Sequence, residues 1–114
     1  MTDDCIFCKI VAGEIPSTKV YETDSIYGFR DINPDAPTHV LLIPKKHIVN
    51  IAGMEEEDSA VMGDLMYGAK LVAEQEGLSE GFRLVTNNGK HGGQEVFHIH
   101  FHLLGGRKMT WPPG

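Results

Sequence analysis

From Val96 to Leu104 the chain reads V-F-H-I-H-F-H-L-L, two residue types in strict alternation. Successive side chains on a strand point to opposite faces, so this run predicts a strand with His98, His100 and His102 on one side. Phe97, Ile99, Phe101 and Leu103 then form the other side, the one a sheet buries. Imidazoles buried without partners are costly. A row of them therefore predicts a pocket over the polar face, and a fold that leaves one side of its sheet open to a ligand.

The rest of the chain supplies the sheet. Lys19 to Glu22 and Ser25 to Arg30 read as paired strands about Thr23-Asp24, and Phe82 to Asn88 as another. Thr38 to Pro44 contains Val40-Leu41-Leu42-Ile43, the continuous apolar run of a strand buried on both faces. Cys5 to Ala12 fits a short helix or turn. Val61, Leu65, Ala69, Val72 and Ala73 recur at helical spacing, with Asp58 and Ser59 able to cap and Gly77 to stop the helix. The expected fold is α+β. An antiparallel five-stranded sheet carries one long helix and a short N-terminal helix in a single domain, residues 1–114.

Charge narrows the partners. The 114 residues carry a net charge of −6, with one dense acidic run, Glu55-Glu56-Glu57-Asp58, expected as a solvated helix N-terminus. That balance argues against nucleic-acid backbones and anionic membranes. No stretch approaches a membrane span, and Met1-Thr2-Asp3-Asp4 lacks the basic and apolar parts of a secretion signal, so a cytoplasmic location is the expectation.

Asn87 to Glu95, N-N-G-K-H-G-G-Q-E, lies directly before the histidine run and carries three glycines. Alone it is an ordinary turn. Beside inward-facing histidines it can cradle a phosphate with backbone N–H groups. Histidine serves as nucleophile, proton donor or orienter near neutral pH, which points to phosphoryl or nucleotidyl transfer. Alternating histidines can also ligate a catalytic metal, a reading the phosphate loop makes weaker.

H-I-H-F-H-L-L resembles the signature of the histidine-triad (HIT) superfamily of nucleotide-binding proteins. The likeness extends through I-F-C-K-I, F-R-D-I-N-P-D-A-P-T-H-V-L-L-I-P-K-K-H-I and G-G-R-K-M-T-W-P-P-G, and is closest to the Hint branch of nucleoside phosphoramidate hydrolases. The resemblance implies that His100 is the nucleophile on the α-phosphorus of a purine nucleotide, forming a nucleotidyl-histidine intermediate. It implies phosphate contact by His102, support by His39, and catalytic membership for His98. It further implies an apolar base slot of Phe7, Ile10, Phe29 and Ile32, ribose binding by Asp31, and phosphate or ribose contacts by Asn87 with the backbone of Gly93 and Gln94. Without it, the apolar four read as core, Asp31 and Asn87 as turn formers, and His39 as a satisfied core histidine. Glu95 departs from the animal pattern, which has serine there. A carboxylate beside a phosphate repels it unless protonated, turned away, or facing a cationic amine leaving group.

Cys5 and Cys8 have the spacing of a zinc half-site, and with no second such pair the remaining ligands have to be histidines. Several bacterial-type relatives complete such a site with the equivalents of His47 and His98, which implies a structural zinc and no catalytic cofactor. Failing a metal, the cysteines read as a pair of reduced, partly buried thiols ahead of a redox disulfide. Trp111 reads either as a tail residue or, by resemblance, as part of a 103–114 tail that crosses a C2 homodimer interface to the partner's leaving-group side, with the sheets joined. A dinucleoside polyphosphate hydrolase and a nucleotide-binding adaptor with incidental catalysis are the rival functions.

Overall fold

The computed structural model describes residues 4–114. Met1, Thr2 and Asp3 lie outside that range, together with the expectation made about a leader segment. Five antiparallel strands, β1 (Lys19–Glu22), β2 (Ile26–Arg30), β3 (Thr38–Pro44), β4 (Phe82–Val85) and β5 (Phe101–Gly105), form one sheet in the order β1-β2-β3-β5-β4. Helix α1 (Ile6–Val11) precedes it, and helix α2 (Ser59–Gln75) lies between β3 and β4.

The sheet separates two apolar layers because its central strand is buried on both faces. Val40 and Leu42 pack with Ile26, Leu103 and the Leu65, Ala69, Val72 and Ala73 stripe of α2. Leu41 and Ile43 face the opposite way, packing with Tyr27, Phe29 and with Phe7 and Ile10 of α1. Such i, i+4, i+7 spacing is what turns an isolated helix into a packed one. No helix among the described residues is long and apolar enough to cross a membrane.

Three expectations are corrected. The strand predicted for Val96 to Leu104 begins only at Phe101. Upstream, Ile99 N–H leaves the ladder to reach Ile48 O at 2.6 Å, and Gln94 Nε2 takes the Val96 carbonyl. Phe97, placed on the core face, is 50% exposed. Strand β4 likewise stops at Val85, and Thr86 Oγ1 donates instead to His100 O at 2.8 Å. The acidic run is not wholly solvated: Asp58 is buried, accepting from Lys46 Nζ at 2.6 Å and from Glu55 N–H at 2.9 Å. Those partners, Lys46 foremost, hold its carboxyl below the usual carboxylate range.

Candidate active site and metal-ligand cluster

Strand pairing lays the floor of a cleft. Phe29 on β2 is opposite Leu41 on β3, and Leu41 is opposite His102 on β5, so the three share the face turned away from α2. Ile6, Phe7 and Ile10 of α1 form one wall, and Asn87, Gly93 and Glu95 form part of another around a cleft of about 340 Å³. Gly89 and Gly93 both take positive φ, which lets the loop turn tightly beside the cleft.

Hydrogen bonding fixes each ring. His100 Nδ1 lies 2.9 Å from His98 O, a carbonyl that can only accept, so Nδ1 carries the proton and Nε2 keeps its lone pair. The second ring is oriented through a relay. Asp35 N–H donates to His39 Nδ1 at 3.0 Å, which places the His39 proton on Nε2. That proton faces His102 Nδ1 at 2.9 Å, with Asp31 Oδ2 also 3.4 Å away. His102 therefore presents an Nε2–H. Both rings border the cleft, one with a free lone pair and one with a free donor.

Burial favours the neutral forms. It lowers the His100 value below the ordinary imidazole range and pushes His102 down to about 4, with His100 and His39 adding to the effect. Because the folded value of His102 lies below its unfolded one, the stability from its neutral ring is complete above about pH 6.5. It is lost as pH falls toward 4. A melting series across that window should decline with acid, more steeply in the native protein than in His102→Asn. Parallel slopes would refute this account.

His98 does not reach the cleft. It is fully buried, and its Nε2–H donates to Pro44 O at 2.8 Å, turning the Nδ1 lone pair toward Cys5 Sγ (3.2 Å), Cys8 Sγ (3.5 Å) and His47 Nδ1 (3.2 Å). Cys8 Sγ is 3.3 Å from His47 Nδ1, and all four ligand atoms lie within 4.8 Å of one another. A tetrahedral zinc, with bonds of about 2.05 Å to nitrogen and about 2.3 Å to sulfur, has ligand-to-ligand edges of about 3.3 to 3.8 Å. The Cys5–His98, Cys8–His98, Cys8–His47 and His47–His98 spacings of 3.2 to 3.5 Å lie at or just under the short end of that range, and the carbonyl behind His98 is the usual support of a metal-binding imidazole. Burial pushes His98 down to about 4, its ligand form, and lifts Cys8 to about 11, with Cys5 adding to the rise. A metal would have to offset that thiol's reluctance to ionise.

The remaining sequence candidates separate by position. Phe7, Ile10 and Phe29 are buried cleft-lining residues, whereas Ile32 sits at the rim, 91% exposed. Asp31 and Asn87 border the cleft. The resemblance involves only the backbone of Gln94; its side chain faces away from the cleft, with Nε2 donating to Val49 O and Val96 O and Oε1 accepting from Gly89 N–H and Asn50 Nδ2, fastening the glycine loop. Trp111 is 81% exposed. Sequence reasoning missed Asp35, whose contribution is a main-chain N–H, and the cleft contacts of Ile6, Ile15 and Arg30. Among the described residues that line the cleft, Arg30 is the only lysine or arginine, and both its terminal nitrogens are bound to Glu76 at 2.9 Å.

Comparison with known proteins agrees with this architecture. A HIT domain is matched over residues 12–109. The chain is 56% identical over 113 residues to the "14 kDa zinc-binding protein" of Brassica juncea, spanning 97% of this chain and 100% of that protein. It is 55% identical over 111 residues to "Adenylylsulfatase HINT1" of Arabidopsis thaliana, spanning 96% of this chain and 76% of that protein. The crystal structure of a HIT family hydrolase from Legionella pneumophila superposes with a TM-score of 0.95 at 56% identity, covering 97% of this chain and 100% of that one. With the domain match spanning most of its length and its fold superposing on that of a HIT family hydrolase, the chain belongs to the HIT family.

Proposed function

We propose that the protein is a nucleotide-binding hydrolase that cleaves the P–N bond of purine nucleoside 5′-phosphoramidates through a nucleotidyl intermediate on His100. The observation that carries this reading is the fixed pair of rings. His100 offers an unprotonated Nε2 while its Nδ1–H is held by His98 O, and His102 offers an Nε2–H to the same cleft. The base enters between Phe7, Ile10 and Phe29, the ribose meets Asp31, and the phosphate lies toward Asn87 and the Gly93 turn. His100 Nε2 forms a bond to phosphorus as the bond to the amine breaks, and the amine leaves with a proton from solvent. Water then adds to phosphorus, the bond to His100 breaks, and the nucleoside monophosphate departs. Orientation and hydrogen bonding to the developing oxyanion supply the rate.

The charge of the cleft favours this leaving group. Asp31 and Glu95 both line it, and the nearby guanidinium is already committed to Glu76. A cationic amine suits that field better than a polyphosphate or a sulfate. The relative named as an adenylylsulfatase keeps a second reading open, since the same attack on an α-phosphorus can expel sulfate.

A zinc ion held by Cys5, Cys8, His47 and His98 belongs to this proposal as a structural element, cross-linking α1 to the segment after β3 and to the histidine run. Free thiols at Cys5 and Cys8 fit a reducing cytoplasm. A C2 homodimer completes the proposal. The outer edge of β4 is unpaired, Phe82 on it is 45% exposed, and the tail carrying Trp111 is anchored beside it by Arg83 Nη2 on Thr110 O at 2.8 Å. Trp111 would then serve the partner's leaving-group side.

An adenosine 5′-phosphoramidate bearing a fluorescent amine tests the chemistry. Fluorophore should be released faster than sulfate from adenylyl sulfate at equal concentration. Sulfate release without amine release would replace the phosphoramidase reading with the other.

A further inference from the structure

His98 takes part in two sites at once. Its ring belongs to the thiol and imidazole cluster, while its main-chain carbonyl holds the Nδ1–H of His100 at 2.9 Å. The same cluster reaches the cleft by a second route. Phe7 lies between Cys5 and Cys8 in sequence, and its ring meets His98 and His100 edge-on, with centroids 6.0 and 5.1 Å apart. Helix α1 has only six residues, too few to hold its position by helix formation alone. Yet it supplies Ile6, Phe7 and Ile10 to the cleft wall.

We propose that a metal ion bound by Cys5, Cys8, His47 and His98 braces the nucleotide site from behind, making His98 a positioning residue for His100 and fixing α1 as the wall of the base slot. Thiols are weak hydrogen-bond donors, and two Nδ1 atoms at 3.2 Å can share at most one proton. Without an ion, the cluster adds only weak hydrogen bonds to the apolar packing that seats α1 on the sheet. Four metal bonds fix His98, and the carbonyl that selects the His100 tautomer moves with it. The tautomer part of this proposal stands by itself, and its slot part rests on the nucleotide reading above.

The test uses the whole protein, zinc-loaded, chelator-stripped and reloaded with cadmium, whose bonds to sulfur are longer. Long-range ¹H–¹⁵N spectra of the imidazoles report the His100 tautomer, elemental analysis reports metal content, and titration reports AMP affinity. One zinc per chain is expected, with a single Nδ1–H form of His100 that becomes mixed on stripping and shifts with cadmium. AMP affinity should weaken about 10-fold or more on stripping, which titration resolves as about 1.4 kcal/mol or more. Cys8→His, which keeps a four-ligand set, should retain zinc and restore the native spectrum, while Cys8→Ser should not. Cadmium-loaded protein whose fold is verified by circular dichroism keeps the comparison available if the stripped chain unfolds. His100 resonances indifferent to metal removal and exchange, or a loaded protein holding no zinc, would overturn the brace. His100 following the metal in a protein that ignores AMP would uphold the tautomer link and reject the nucleotide reading.

Discussion

His100→Ala is expected to abolish turnover of a nucleoside phosphoramidate, by about 10⁴-fold or more in kcat, while AMP still binds. Removing a nucleophile costs the whole covalent route, and what remains is binding and hydrogen bonding around an uncatalysed attack by water. The fold should tolerate the change, because the ring of His100 faces the cleft and touches Phe7 rather than the α2 core. A quench experiment should trap nucleotide on the native protein and none on the variant. A variant retaining more than about a tenth of native kcat would move the nucleophile elsewhere, and His102, with its lone pair already occupied at Nδ1, would be the next to test.

Leu103→Ala should produce the opposite separation. Leu103 is fully buried on β5, on the face opposite His102, packed with Val40, Leu42 and the α2 stripe. Truncating such a side chain leaves a cavity and costs about 2 to 5 kcal/mol. For a chain of this size the melting temperature should fall on the order of 10 °C. The histidine face is untouched, so kcat measured below the new transition should stay within about threefold of native. A small thermal shift with a large kcat loss would mean that the two faces of β5 are less independent than their packing implies.

That independence is what the sequence displays most clearly, and also where it misleads. Alternation reports which way side chains point on extended backbone, and it located His102 and Leu103 correctly on opposite sides. It does not report which carbonyl each N–H finds. The run therefore read as one long strand, although Ile99 bonds to Ile48 and the ladder starts two residues later. Strand β3 was easier, because four consecutive apolar residues require burial on both faces wherever their partners lie. Resemblance to relatives identified His47 and His98 as companions of Cys5 and Cys8, which spacing alone could not choose among the other histidines. Asp35 was invisible for a different reason: its role belongs to a backbone N–H, which every residue but proline carries. Resemblance assigned only the backbone of Gln94 to the ligand, and its side chain has a separate task the sequence did not show, bonding two carbonyls, the Gly89 amide and the Asn50 amide of the surrounding loops.

The relay behind His102 has a consequence for proton traffic. It begins at the amide of Asp35, a group that does not surrender its proton under ordinary conditions, and runs outward through His39. Such a chain is a dead end rather than a wire. It can hold an orientation indefinitely, but no proton can be drawn through it from the interior. In the proposed reaction, the proton the amine collects and the proton the attacking water gives up therefore cannot travel along this chain, and are exchanged with solvent at the exposed edges of the two rings.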